Sequence, residues 1–132
     1  MMRRILVCAA IAAAFVGSAA ADTIDVLREN TLILHEQSGR MYTILIGPGS
    51  RIEQVNSGGM WAEGSWKIDT ADDNRFCWQV RGAATLCIPM PMDKQVGDTW
   101  EVRGPVGQLV WTAEIQEGRA DLRALNSGNS GQ

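Results

Sequence analysis

The chain has a single histidine, His35, and only three cysteines in its 132 residues. One imidazole excludes a multi-histidine zinc site. His35-Glu36-Gln37-Ser38-Gly39 begins like the H-E-x-x-H helix of zinc proteases, but its fifth residue is Gly39 and no second histidine exists. Beyond residue 21 there is no apolar run approaching the roughly 20 residues a helix needs to cross a bilayer, so an integral membrane protein is not expected. Basic residues are few, 12 Lys and Arg against 15 Asp and Glu, and they form no cluster. That excludes nucleic acid and anionic lipid as expected partners. No internal repeat and no linker divides the chain.

The first 21 residues read as an export signal. Arg3 and Arg4 form a positive start, Ile5 to Val16 an apolar stretch, and Gly17 to Ala21 a small-residue cleavage region, with Asp22 as the expected first mature residue. Ile5-Leu6-Val7-Cys8 distantly resembles a lipidation box. Val7 is too bulky before the cysteine and cleavage there would leave almost no apolar core, so lipidation is not expected. Loss of Arg3 and Arg4 leaves ten basic against fifteen acidic residues, a net charge of −5 on 111 residues. The expected location is the periplasm or the exterior. There Cys77 and Cys87, the two cysteines left, read as a disulfide.

Residues 22–125 read as one domain. Asp22 to Asn30 is expected as a short helix, capped by Asp22 or Thr23, with Ile24 and Leu27 along one side. After it come short runs rich in Ile, Val, Trp and Thr, punctuated by glycine turns every eight to twelve residues. Strands are expected near 31–35, 40–46, 50–55, 60–68, 75–81, 84–90, 98–103 and 108–116. The fold class is therefore all-β, a small antiparallel β-barrel or sandwich of about eight strands with a short N-terminal helix and one disulfide. Residues 126–132, all small or polar, are expected as a disordered tail.

The hairpin around Gly82 is the most fully specified element. A three-residue loop with glycine at a left-handed position sets Val80 opposite Ala84, Trp78 opposite Leu86 and Phe76 opposite Ile88, all on one face. The same register puts Cys77 directly opposite Cys87 on the other face, about 5.5 Å apart at Cα and within disulfide reach. By the same parity Ala62, Gly64, Trp66 and Ile68 face inward. Trp100, Val102, Leu109, Trp111, Ala113 and Ile115 complete the apolar face, and Trp61 is the one tryptophan placed outside, with Glu63, Ser65 and Lys67.

In order along the chain stand Asn30-Thr31, Tyr42, the turn Gly47-Pro48-Gly49, Gly64-Ser65-Trp66, and the cysteine pair. This layout, over roughly residues 27–90, resembles a family of small exported alphaproteobacterial β-domains of unknown function. A glycine before Asn30 is missing, and Met90-Pro91-Met92 after the second cysteine is a departure. The resemblance implies a barrel-like periplasmic domain and no particular activity. Ser38-Gly39-Arg40-Met41-Tyr42 also resembles the S-G-x-x-Y motif of periplasmic C-type lysozyme inhibitors. That likeness implies a Ser38-bearing loop that enters the lysozyme cleft, with Tyr42 as the second matching position.

Other constellations are weaker. Ser38 with His35 has no nucleophile elbow and no oriented base, so no catalytic residue is assigned and an enzyme is not expected. Asp69 to Asn74 lacks the alternation and distal glutamate of a calcium loop and reads as a solvated turn. Met41, Met60, Met90 and Met92 offer soft sulfur but read as packing, with Pro89 and Pro91 ending a strand. No metal and no cofactor is expected. The function expected is that of a non-catalytic binding or interaction domain, with Trp61, Ser38 and Tyr42 as the candidate surface and a protein or small apolar ligand as partner. Two alternatives are a lysozyme inhibitor acting through the loop around Ser38 and a carrier of a small apolar ligand.

Overall fold

The computed structural model describes residues 19–72 and 74–130. Most of the expected leader, with Cys8, and the last two residues of the expected tail lie outside the described residues. Helix α1 (Ala19–Arg28) precedes eight strands: β1 (Thr31–Glu36), β2 (Met41–Ile46), β3 (Arg51–Asn56), β4 (Trp61–Asp69), β5 (Arg75–Val80), β6 (Leu86–Pro89), β7 (Thr99–Arg103) and β8 (Leu109–Gln116). Helix α2 (Leu122–Ser130) follows. The strands form one antiparallel sheet in the order β6-β5-β4-β3-β2-β1-β8-β7. It curls into a nearly closed barrel whose two edges, β6 and β7, are neighbours in sequence.

The barrel follows from strict alternation. Leu32 and Leu34, Ile44 and Ile46, Ile52, Phe76 and Trp78, Ile88, Trp100 and Val102, Ala113 and Ile115 all point into one buried core. Ile24 and Leu27 of α1 join that core from one end. Thr23, expected as a possible cap, lies instead inside the helix and is fully buried. Its hydroxyl donates to the Pro91 carbonyl at 2.9 Å and accepts the Lys94 N–H at 3.1 Å. Those bonds tie α1 to the segment joining β6 to β7.

Asn30 and Thr31 clasp the two ends of the domain together. Asn30 Nδ2 donates to the Val26 carbonyl at 2.7 Å, closing α1, while its Oδ1 accepts the Gly118 N–H at 2.8 Å. The buried Thr31 hydroxyl donates to the Gly118 carbonyl at 2.6 Å and accepts the Ala120 N–H at 2.9 Å. Arg119 adds Nη1 contacts to the carbonyls of Arg28 and Ile46.

The cysteine hairpin has the expected register, with Phe76, Cys77 and Trp78 opposite Ile88, Cys87 and Leu86, and the Cys77–Cys87 disulfide is formed. Its Cα separation is 4.0 Å rather than 5.5 Å. The shorter distance belongs to a non-hydrogen-bonded pair, as the phase of the ladder requires. The ladder stops at Leu86, and the loop runs over 81–85 instead of three residues. Ala84 and Leu86, expected on the packed face, are therefore exposed. On the other side of β5, a Cβ at Gly64 would stand 1.8 Å from the Gln79 carbonyl oxygen. β5 lies too close to β4 for any side chain at 64, and it keeps bonding β4 through the Arg81 N–H to the Glu63 carbonyl, after β6 has already left the ladder.

A second correction concerns the C-terminus. Residues 126–130, expected as disordered, belong to α2. Asp121 Oδ1 accepts the Ala124 N–H at 3.1 Å, which starts the helix. Leu122 is buried against Leu45 and Val55, two outward-facing residues of β2 and β3, which anchors it.

Candidate binding surface

The interior is occupied by its own aromatic side chains. Trp66 lies 5.8 Å from Phe76, Phe76 5.3 Å from Trp78, Trp78 6.5 Å from Trp111, and Trp111 6.3 Å from Tyr42, all between ring centroids. This row of five rings fills the space a barrel ligand would need. Trp78 Nε1 donates to Gln54 Oε1 at 3.1 Å and Trp100 Nε1 to the Pro89 carbonyl at 3.3 Å. The buried Nε1 atoms of Trp66 and Trp111 have no hydrogen-bond partner among the described residues.

Depressions of about 550, 520 and 330 Å³ open instead on the outside, and they are lined largely by strand edges and turns. The 330 Å³ groove runs between α2 and the β2–β3 pair, lined by Met41, Thr43, Val55, Asn56, Ser57 and Leu125. Register explains this grouping. Thr43 pairs with Val55 and Val55 with Trp61, so the three side chains form one row across the outer face of β2, β3 and β4. Val55 is covered, whereas Trp61 is 43% exposed and Met60, in the turn before it, 69% exposed. Met41 and Leu125 are exposed beside them. In this patch Met41 and Leu125 line the groove, Trp61 extends its row onto β4, and Met60 precedes Trp61 in the turn.

The three candidate residues fall into different environments. Trp61 is on this patch, outside the barrel as parity requires. Ser38 is exposed at the tip of the β1–β2 turn, where its Oγ donates to Glu36 Oε1 at 2.6 Å. Tyr42 faces inward, edge-on to Trp111, and acts as core packing rather than as surface. The β1–β2 hairpin nevertheless touches the patch, because the Met41 N–H donates to Ser57 Oγ at 3.3 Å. Sequence reading missed Met41, Met60 and Leu125. Met60 had a visible signal, a large apolar residue directly after the Gly58-Gly59 turn. Leu125 had none, since its place depends on α2.

The chemistry of the remaining motifs is modest. His35 Nε2 lies 2.8 Å from Glu114 Oε1, across β1 and β8, and is engaged there rather than with Ser38. No group of three or more His, Cys, Asp and Glu side chains placed to hold a metal occurs among the described residues. Asp69 Oδ1 accepts the Ala71 N–H at 3.1 Å, as in a solvated turn. The methionines do not converge, for Met90 is buried in the core while Met92 is exposed and Met41 and Met60 belong to the patch. No described helix is long and apolar enough to cross a membrane.

No known family model matches the chain, and no curated protein or solved structure matches it either.

Proposed function

We propose that this protein is a non-catalytic binding domain of the periplasm or cell exterior, engaging a protein partner through the patch of Met41, Met60, Trp61 and Leu125. The observation that carries the reading is the exposure of Met41 and Leu125 along the groove and of Met60 and Trp61 at the adjoining start of β4, in a barrel whose interior is already full. Tryptophan and methionine are enriched at the cores of docking interfaces, where they bury large apolar surfaces. The export signal at 1–21 supports the location. The row of rings from Trp66 to Tyr42 argues against an internal apolar ligand. A photo-crosslinking residue at Met60 should give one discrete protein adduct in envelope extracts, lost when Trp61→Ala is added. No adduct, or one indifferent to Trp61, contradicts the proposal.

The second reading, inhibition of a C-type lysozyme, is favoured by the exposed position of Ser38 at a hairpin tip. Against it stands Glu36, whose carboxylate accompanies the serine and would enter a cleft already carrying a catalytic acid pair. Unchanged lysozyme activity at micromolar excess of protein disposes of it.

A further inference from the structure

The barrel stays open at one place, between β6 and β7, and the hydrogen-bond phase of both edges can be read from the structure. The Arg81 N–H donates to the Glu63 carbonyl, so in this register the odd-numbered residues of β5 bond β4. Phe76 and Trp78 therefore bond β6 through Ile88 and Leu86, which leaves the backbone of Cys87 and Pro89 facing the gap. Proline brings no N–H, and its carbonyl already accepts from Trp100. On the other wall the Ile115 N–H donates to the Asp98 carbonyl, so Trp100 and Val102 bond β8. Thr99 and Glu101 then turn both N–H and C=O into the gap, with no backbone partner there among the described residues.

The gap is pinned at the Pro89–Trp100 contact and widens into a groove of about 550 Å³ lined by Arg75, Cys87, Pro89, Val102, Arg103 and Pro105, among others. The lining includes two guanidinium groups and no carboxylate, in a chain of net charge −3. Glu101 engages Arg103 through Nε at 3.0 Å and through Nη2, while Nη1 donates to the Gly107 carbonyl at 2.9 Å. The barrel cannot easily close on itself here. β6 is only four residues long, ends in proline and is tied to β5 by the Cys77–Cys87 bridge.

We propose that this gap is a strand-addition site, which takes an extended peptide segment of another protein, carrying at least one carboxylate side chain, along the free edge of β7. Unpaired backbone groups in phase along an edge call for the backbone of another strand. The apolar floor of Val102 and Pro105 suits alternate apolar side chains of that strand, and the charge of Arg103 favours an acid among them. The site is separate from the patch around Trp61, and neither depends on the other.

The test is selection of displayed random peptides of about twelve residues on the purified protein, a length sufficient to span a β edge. Each winner is then titrated against wild type, Glu101→Ala and Glu101→Pro, the alanine variant isolating the loss of the carboxylate that engages Arg103. Because the Glu101 N–H faces the gap, proline there removes one donor from the edge without breaking the β7–β8 ladder. Winners should carry acids among β-forming residues, bind Glu101→Pro at least about tenfold more weakly than Glu101→Ala, and slow amide exchange at Thr99 and Glu101. Absence of any enriched peptide, equal affinity for Glu101→Pro and Glu101→Ala, or protected Thr99 and Glu101 amides in the free protein overturns the proposal. Should Glu101→Pro melt well below wild type, Arg103→Gln decides instead. It should weaken acidic peptides about tenfold, and unchanged affinity would refute the site.

Discussion

Trp78 and Gln54 are joined inside the barrel by a 3.1 Å bond from the indole Nε1 to Oε1, whereas the Nε1 atoms of Trp66 and Trp111 in the same interior have no such partner. The difference makes the three tryptophans unequal in a measurable way. Replacing Trp111 by phenylalanine removes an unpaired buried donor along with some volume. Replacing Trp78 breaks a bond and strips Gln54 of its donor. Trp78→Phe should therefore destabilise by at least about 1 kcal/mol more than Trp111→Phe in denaturant unfolding. Equal losses would show that the Gln54 bond contributes nothing.

The disulfide closes a loop of sequence separation 10. In the chain-entropy treatment such a loop is worth about 2.5–3 kcal/mol, or roughly 10 °C in Tm for a domain of this size. Alanine is the better replacement, since Cys77 is buried and a serine hydroxyl there would add its own desolvation cost. Cys77→Ala/Cys87→Ala should fold, keep its far-UV spectrum and melt lower by about that amount. An unchanged Tm would mean that the β5–β6 ladder alone fixes β6.

Gly64 and Gly82 separate two reasons for glycine. At Gly64 a methyl group would meet the Gln79 carbonyl oxygen at 1.8 Å, so Gly64→Ala forces β4 and β5 apart. Gly82, with φ of +83°, has open space around it, and alanine there meets only the left-handed backbone penalty. The expected costs are about 3 kcal/mol or more at Gly64 and about 1 kcal/mol at Gly82. The reverse order would contradict the close approach of β5 to β4.

Thr31→Val keeps the shape of a fully buried side chain but deletes a hydroxyl that serves both Gly118 and Ala120. The orphaned carbonyl and N–H should cost about 2 kcal/mol. Because the loss falls on the connection to α2, limited proteolysis should cut between 117 and 121 faster than elsewhere. Uniform susceptibility along the chain would place the clasp's role elsewhere.

The fold was legible where two local signals agreed. Alternation around Cys77 and Cys87 and the bridge between them point to the same register, and glycine turns separate most of the strands, while an acidic turn at 70–74 separates β4 from β5. What escaped was long-range. Helix α2 reads as a tail because Asn126, Ser127 and Gly128 are poor helix formers, and only docking of Leu122 on Leu45 and Val55 reveals its start. The clasp made by Asn30 and Thr31 spans almost ninety residues, and no spacing rule reaches that far. Of the candidate surface, parity placed Trp61 outside, where it is. Tyr42 looked equally available but faces inward, because it alternates in phase with the core residues Ile44 and Ile46 along β2.

The central claim is that the barrel is filled by its own rings and binds on its outside. Titration with a dansyl-labelled long-chain fatty acid tests it most directly, read as dansyl enhancement and tryptophan quenching. The account predicts no saturable one-to-one binding up to about 100 μM, because no room is left for the large apolar cavity such ligands require. Stoichiometric binding in the low micromolar range, abolished by a bulkier residue at Ala113 in the core, would show that the interior opens and would contradict it.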